Sequence, residues 1–145
     1  MLDAPDDRVA ETSDPHPTGR FTITKSYELN GVSHELHLLP EGHKCRRNHG
    51  HNYMISLTLT ADRLDRFGFV TDFGDLAPFR ARLDELDHRR LNDVVDFHPT
   101  SELLAQHLGE WFITHVEPTI HGRLLSVRVA ETRTTSATWE RGDRS

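Results

Sequence analysis

His49-Gly50-His51-Asn52-Tyr53-Met54-Ile55-Ser56-Leu57-Thr58-Leu59-Thr60 reads as one strand with chemistry at its start. Tyr53, Ile55, Leu57 and Leu59 recur at every second position, with Ser56, Thr58 and Thr60 on the other side. A period of two marks a half-buried strand, because successive side chains point to opposite faces. His49 and His51 share the parity of Tyr53 and Ile55, so two imidazoles project side by side at the end of the apolar face. The glycine between them leaves room for close approach of backbone or ligand.

Upstream, Phe21, Ile23, Tyr27 and Leu29 alternate with Thr22, Thr24, Ser26 and Glu28, a second half-buried strand. The alternation lapses at Asn30-Gly31, which predicts a bend or bulge. His37 to Asn48 has no period, holds Pro40-Glu41-Gly42 and reads as a loop. Downstream, the segment around Asp62 to Gly68 turns, and Phe69–Phe73 leads into a helix whose stripe is Leu76, Phe79, Leu83 and Leu86. A second helix starts with Thr100 as N-cap and Glu102 at the positive end of the dipole. Its stripe is Leu104, His107/Leu108, Trp111 and His115, and Pro118 stops it. Two last strands follow, the first with Leu125, Val127, Val129 and Glu131 on one face, the second over Thr135–Trp139. The order ββααββ predicts an α+β fold, a four-stranded antiparallel sheet with both helices on one face. Its open edges invite pairing between subunits, and an oligomer closing a barrel is expected.

The chain has 145 residues, the size of one domain. Residues 1–19 hold three prolines, five acids and almost nothing to bury. They are expected to be a disordered tail, leaving 20–145 as a single domain. A net charge of −6 without a basic stripe argues against nucleic acid and anionic membrane as partners. No apolar run approaches the roughly 20 residues of a membrane span, and no secretory signal is expected. One cysteine excludes an internal disulfide, and the cytoplasm is the expected compartment. Eleven histidines against two lysines (Lys25 and Lys44) direct attention to metal.

Zinc takes imidazole nitrogens, and a catalytic zinc has three protein ligands with a fourth position open. His49 and His51 supply two, and the third comes from His34 or His37 at the end of the first strand. Carboxylate-rich patterns for magnesium or calcium are missing, so zinc is the metal favoured. The lone Cys45 has two readings. It is an inert small hydrophobe, or a thiolate favoured by Lys44, Arg46, Arg47 and a nearby metal. Asp87-His88 reads on its own residues as a solvated helix terminus, because neighbours i and i+1 diverge on a helix. Glu131 has inward parity on an aliphatic strand, where a carboxylate is expensive unless paired donors meet it. Asp72 and Arg89-Arg90 read as structural or solvated, and His98, His107, His115 and His121 as core or surface histidines.

The run Glu41-Gly42-His43-Lys44-Cys45-Arg46-Arg47-Asn48-His49-Gly50-His51-Asn52-Tyr53 resembles the 6-pyruvoyl-tetrahydropterin synthase family. It is most similar to the bacterial, carboxy-forming branch, which serves queuosine and other deazapurine pathways. Val70-Thr71-Asp72-Phe73, Leu86-Asp87-His88, Leu91-Asn92, Pro99-Thr100-Ser101-Glu102 and Glu131-Thr132 extend the resemblance over residues 21–141. One departure stands out: the family's Phe-x-Ala-Ala-His stretch is here Asn30-Gly31-Val32-Ser33-His34.

The resemblance implies the tunnelling fold, or T-fold, assembled as a trimeric barrel and a homohexamer with active sites between subunits. It implies one zinc on His34, His49 and His51, with His37 the runner-up ligand. Cys45 would be the general base, with Asp87 and His88 completing its relay from a neighbouring subunit. Glu131 would grip the pterin's guanidine-like edge, with Thr100 and Glu102 lining that pocket. The implied activity is 6-carboxy-5,6,7,8-tetrahydropterin synthesis from 7,8-dihydroneopterin triphosphate, a carbon–carbon lyase reaction that eliminates triphosphate and releases acetaldehyde. The alternatives are 6-pyruvoyl-tetrahydropterin synthesis without that cleavage, a non-catalytic pterin-binding module, and a structural zinc protein with a closed fourth ligand.

Overall fold

The computed structural model describes residues 19–142. Gly19 apart, the tail expected over residues 1–19 lies outside them. Strand β1 spans Thr22–His34 and β2 spans His49–Thr60. Helices α1 (Ala77–Asp84), α2 (Leu91–Val94) and α3 (Ser101–His115) follow, then β3 (Arg123–Ala130) and β4 (Ser136–Glu140). The sheet order is β1-β2-β3-β4, antiparallel throughout. The expected ββααββ order therefore holds, with the short α2 added between the two main helices.

The β2 stripe behaves as its period demands: Tyr53, Ile55, Leu57 and Leu59 are all buried. Against them lie Leu76, Phe79, Leu83 and Leu86 from the first helical region, and Leu104, Leu108 and Phe112 from α3. One core thus joins one sheet face to both helices, which is why the helices share a side. Among the described residues, no helix is long and apolar enough to cross a membrane.

Three details differ from the sequence reading. On β3, Leu124 rather than Leu125 is buried, because the register with β2 slips between Thr58 and Leu59. A bulge inserts one residue and reverses parity beyond it. On α3 the buried stripe runs through Leu104, Ala105, Leu108 and Phe112, leaving Trp111 half-buried and His115 exposed. Phe21 lies just before β1 and is exposed.

The expected irregularity at Asn30-Gly31 is present and decides where the site forms. Leu29 pairs with Tyr53, yet Val32 pairs with His51 and His34 with His49, so β1 carries one extra residue between Leu29 and Val32. Gly31 occupies that bulge at φ 64°, a left-handed conformation costly to residues with a Cβ. Without the insertion, His34 would fall on the face opposite Tyr27 and Leu29. The bulge turns it onto the apolar face, directly across from His49.

Candidate active site

His34, His49 and His51 converge at one end of the β1–β2 hairpin. The Nε2 atom of His34 lies 2.9 Å from that of His49 and 3.1 Å from that of His51. His34 is 1% exposed, while His49 and His51 are half-buried. The Nδ1 atoms of His34 and His49 each lie 2.7 Å from a backbone carbonyl, of Pro99 and Arg47 respectively. Carbonyls only accept, so both Nδ1 atoms carry a proton, which in a neutral ring leaves the Nε2 lone pair free for a metal. Lone pairs facing one another at 2.9 Å repel unless a cation lies between them. The donor set therefore fits a divalent metal whose imidazole bonds are about 2.0–2.1 Å long. Burial pushes the His34 and His51 pKa values down, favouring the neutral, ligating form. His37 is mostly exposed, with its ring 3.4 Å from Glu35, and takes no part in the cluster.

Beneath the trio, Tyr53 places its hydroxyl 3.4 Å from His34 Nδ1. Burial, then the Glu131 charge, pushes the Tyr53 pKa up, so the phenol keeps its proton. Glu131 follows directly on β3 and sets Oε2 3.9 Å from His51 Nε2. Its Oε1 accepts a short hydrogen bond from the Ser101 hydroxyl at the start of α3. The inward carboxylate thus has a donor, and the fold brings it beside the imidazoles. Thr100 caps α3, its hydroxyl accepting the Leu103 N–H at 3.1 Å. Glu102 is exposed in the first helical turn. Ser101 was not singled out from the sequence. A hydroxyl beside a helix cap was the available signal, but which face it met depended on β3.

Cys45 occupies a one-turn 3-10 helix, Lys44–Arg46, and is half-buried. Its backbone N–H donates to His43 Nδ1 at 3.1 Å and its carbonyl accepts the Leu36 N–H at 3.2 Å. It does not belong to the imidazole group.

Asp87 and His88 form a pair after all, with His88 Nδ1 donating to Asp87 Oδ2 at 2.7 Å. Past the end of α1 the chain leaves helical geometry, and His88 adopts φ 58°, which lets neighbours meet. The other Asp87 oxygen accepts the Asn30 N–H at 2.7 Å. That bond, ahead of the His88 contact, holds the Asp87 carboxyl below its ordinary pKa. Within one chain the pair stands on the β1 bulge, apart from the trio.

An antiparallel four-stranded sheet backed by helices, with a three-imidazole centre on its first hairpin, defines a T-fold protein able to hold a metal. The sequence profile of 6-pyruvoyl tetrahydropterin synthase matches residues 22–142, and the chain belongs to that family. It is 35% identical over 92 residues to the 6-carboxy-5,6,7,8-tetrahydropterin synthase of Bacillus subtilis, covering 56% of this chain and 62% of that one. The same-named protein of Rickettsia bellii is 32% identical over 88 residues, covering 45% of this chain and 62% of its own length. The matches thus span less than two thirds of these curated relatives. Among solved structures, Caenorhabditis elegans 6-pyruvoyl tetrahydropterin synthase superposes with a TM-score of 0.74 at 26% identity, covering 86% of this chain and 97% of its own. The Plasmodium vivax 6-pyruvoyltetrahydropterin synthase shares the fold with a TM-score of 0.66 at 18% identity, covering 85% of this chain and 98% of its own.

Proposed function

We propose that this chain is a zinc-dependent 6-carboxytetrahydropterin synthase acting on 7,8-dihydroneopterin triphosphate. The observation that carries the reading is the convergence of three imidazole nitrogens beside the Glu131 carboxylate. A cation site next to a carboxylate suits a substrate with side-chain oxygens at one end and a guanidine-like edge at the other. The curated bacterial relatives support the carboxy-forming product.

His34, His49 and His51 would hold the zinc, which supplies Lewis acidity at the substrate's side-chain oxygens. Glu131 binds the pterin edge through two parallel charge-assisted hydrogen bonds, with Ser101 fixing its rotamer. Thr100 and Glu102, at the start of α3, border the same pocket. Cys45 removes a proton from the side-chain carbon, and Asp87 and His88 relay it onward. Triphosphate then leaves, and cleavage of the side chain with uptake of one water gives the carboxylate and releases acetaldehyde. Asp87 and His88 stand away from their own trio, which supports completion of each site by a neighbouring subunit in a homohexamer of two trimers.

The likeness to the Caenorhabditis elegans structure favours a second reading, in which the product is 6-pyruvoyl-tetrahydropterin. Mass spectrometry of products formed from 7,8-dihydroneopterin triphosphate decides between them. A 6-carboxy product with acetaldehyde is expected; a 6-pyruvoyl product overturns the first reading, and unchanged substrate overturns both.

A further inference from the structure

The β1 bulge does more than turn His34 inward. Inserting one residue releases backbone amides from the β1–β2 ladder, and each finds a specific partner. The Asn30 N–H donates to Asp87 Oδ1 at 2.7 Å, and the Asn30 carbonyl accepts the His88 N–H at 2.9 Å. The Gly31 N–H donates to the side-chain oxygen of Asn52 at 2.8 Å. Asp87 spends its second oxygen on His88 Nδ1, so both carboxylate oxygens are committed. Gly31 also makes space: a Cβ there would lie 2.5 Å from His88 Cδ2 and 3.0 Å from both Cγ and Nε2, so the imidazole rests against bare backbone. Beyond the bulge the same chain segment stays attached, with the Ser33 N–H donating to the Arg89 carbonyl at 3.1 Å. Asn92 brackets Glu35, accepting its N–H at 2.8 Å and donating to its carbonyl at 3.0 Å. Residues 87–92 thus run along the second half of β1 as a strap, and His88 is the point where it meets the bulge.

We propose that Gly31 and Asn52 are positioning residues for His88: they fix the bulge that seats its ring and holds it in the Nδ1-protonated tautomer. The inference rests on the relay role given to Asp87 and His88 above and assigns the device that aims it. A ring so seated has Nδ1 tied to Asp87 and its Cδ2–Nε2 edge laid beside Gly31. Its side chain is 72% exposed, so the ring is open to a partner group. Neither Gly31 nor Asn52 needs to touch substrate for this to work. Asn52 holds the bulge from the β2 side, and Gly31 keeps the ring's resting place clear.

The test compares Gly31→Ala, Asn52→Ala and Asn52→Asp in the full chain. The same bulge seats His34, so metal content is measured for each variant and turnover is compared per bound metal, with KM expected to stay as in the parent protein. Turnover should fall roughly 10- to 100-fold in Gly31→Ala, the scale of loss from a misplacement of about 1 Å. Asn52→Ala should lose less, and Asn52→Asp, which keeps an oxygen to accept the Gly31 N–H, should recover most of it. Long-range proton–nitrogen NMR of His88 gives a readout independent of catalysis. The parent should show protonated Nδ1, and Gly31→Ala should shift toward protonated Nε2. Parent-like His88 spectra in both Gly31→Ala and Asn52→Ala overturn the proposal. A shifted spectrum with parent-like turnover supports the seat and overturns the relay role of His88 instead.

Discussion

The histidine trio and the Asp87–His88 pair are both anchored to backbone, but in opposite senses. In the trio, ring N–H groups donate to the carbonyls of Pro99 and Arg47, leaving lone pairs aimed at one another. In the pair, a carboxylate accepts a backbone N–H and orients a ring facing outward. His34 is 1% exposed, whereas the His88 side chain is largely in solvent. A cation can be held by one chain's own groups at the first place. The second ends in an exposed ring and needs something from outside to act on. Metal binding and proton handling are therefore separable, and substitutions should separate them.

The largest separation is expected from His34→Ala. Elemental analysis should fall from about one zinc per chain to almost none, since two imidazoles are left of the three a catalytic zinc uses. His37→Ala should keep the metal; the reverse outcome would dismantle the trio. Cys45→Ala comes next, with zinc and pterin binding intact and turnover down by about 10²–10⁴, the usual loss of a general base. Loss of zinc in that variant would make Cys45 a ligand and merge the two regions. Glu131→Ala should weaken pterin binding by about 1.5–3 kcal/mol, roughly ten- to a hundredfold by calorimetry, and leave zinc in place. The smallest effect concerns the pair alone. The Asn30 N–H lowers the Asp87 pKa, so the carboxylate stabilises the folded state above its unfolded value. The stability gap between the parent protein and Asp87→Asn in urea melts should be flat from about pH 8 to about pH 5. It should narrow below about pH 3.9, as the folded carboxylate finally protonates. A gap that widens in acid would show that the bulge does not bind the charged form.

How much was legible in the sequence follows from how local each feature is. The β2 stripe, the Leu76–Leu86 stripe and the Thr100 cap are set by neighbours a few residues apart, and all three stand as read. The Asn30-Gly31 lapse announced the bulge, although not its effect on parity. The trio was legible as His49 and His51 with a choice of third ligand; only the pairing of His34 with His49 settles that choice. Leu124 replaced Leu125 because a register slip depends on the partner strand. The Asp87–Asn30 bond, the Ser101–Glu131 contact and the Asn52 brace join segments distant in sequence. No periodicity encodes those.

The order in which the sheet can close follows from its connections. β1 meets β2 across residues 35–48, and β3 meets β4 across residues 131–135, while β2 meets β3 only after residues 61–122 have been laid over the sheet. Loop-closure entropy makes the central seam the most demanding to zip and the two hairpins the least. All three imidazoles lie on the first hairpin, so ligand geometry depends on the shortest-range half of the topology. The Pro99 carbonyl that fixes the His34 tautomer lies between the helices, and it arrives with the longest closure. A folding chain can thus gather its metal ligands before it can orient them, and full affinity belongs to the finished sheet.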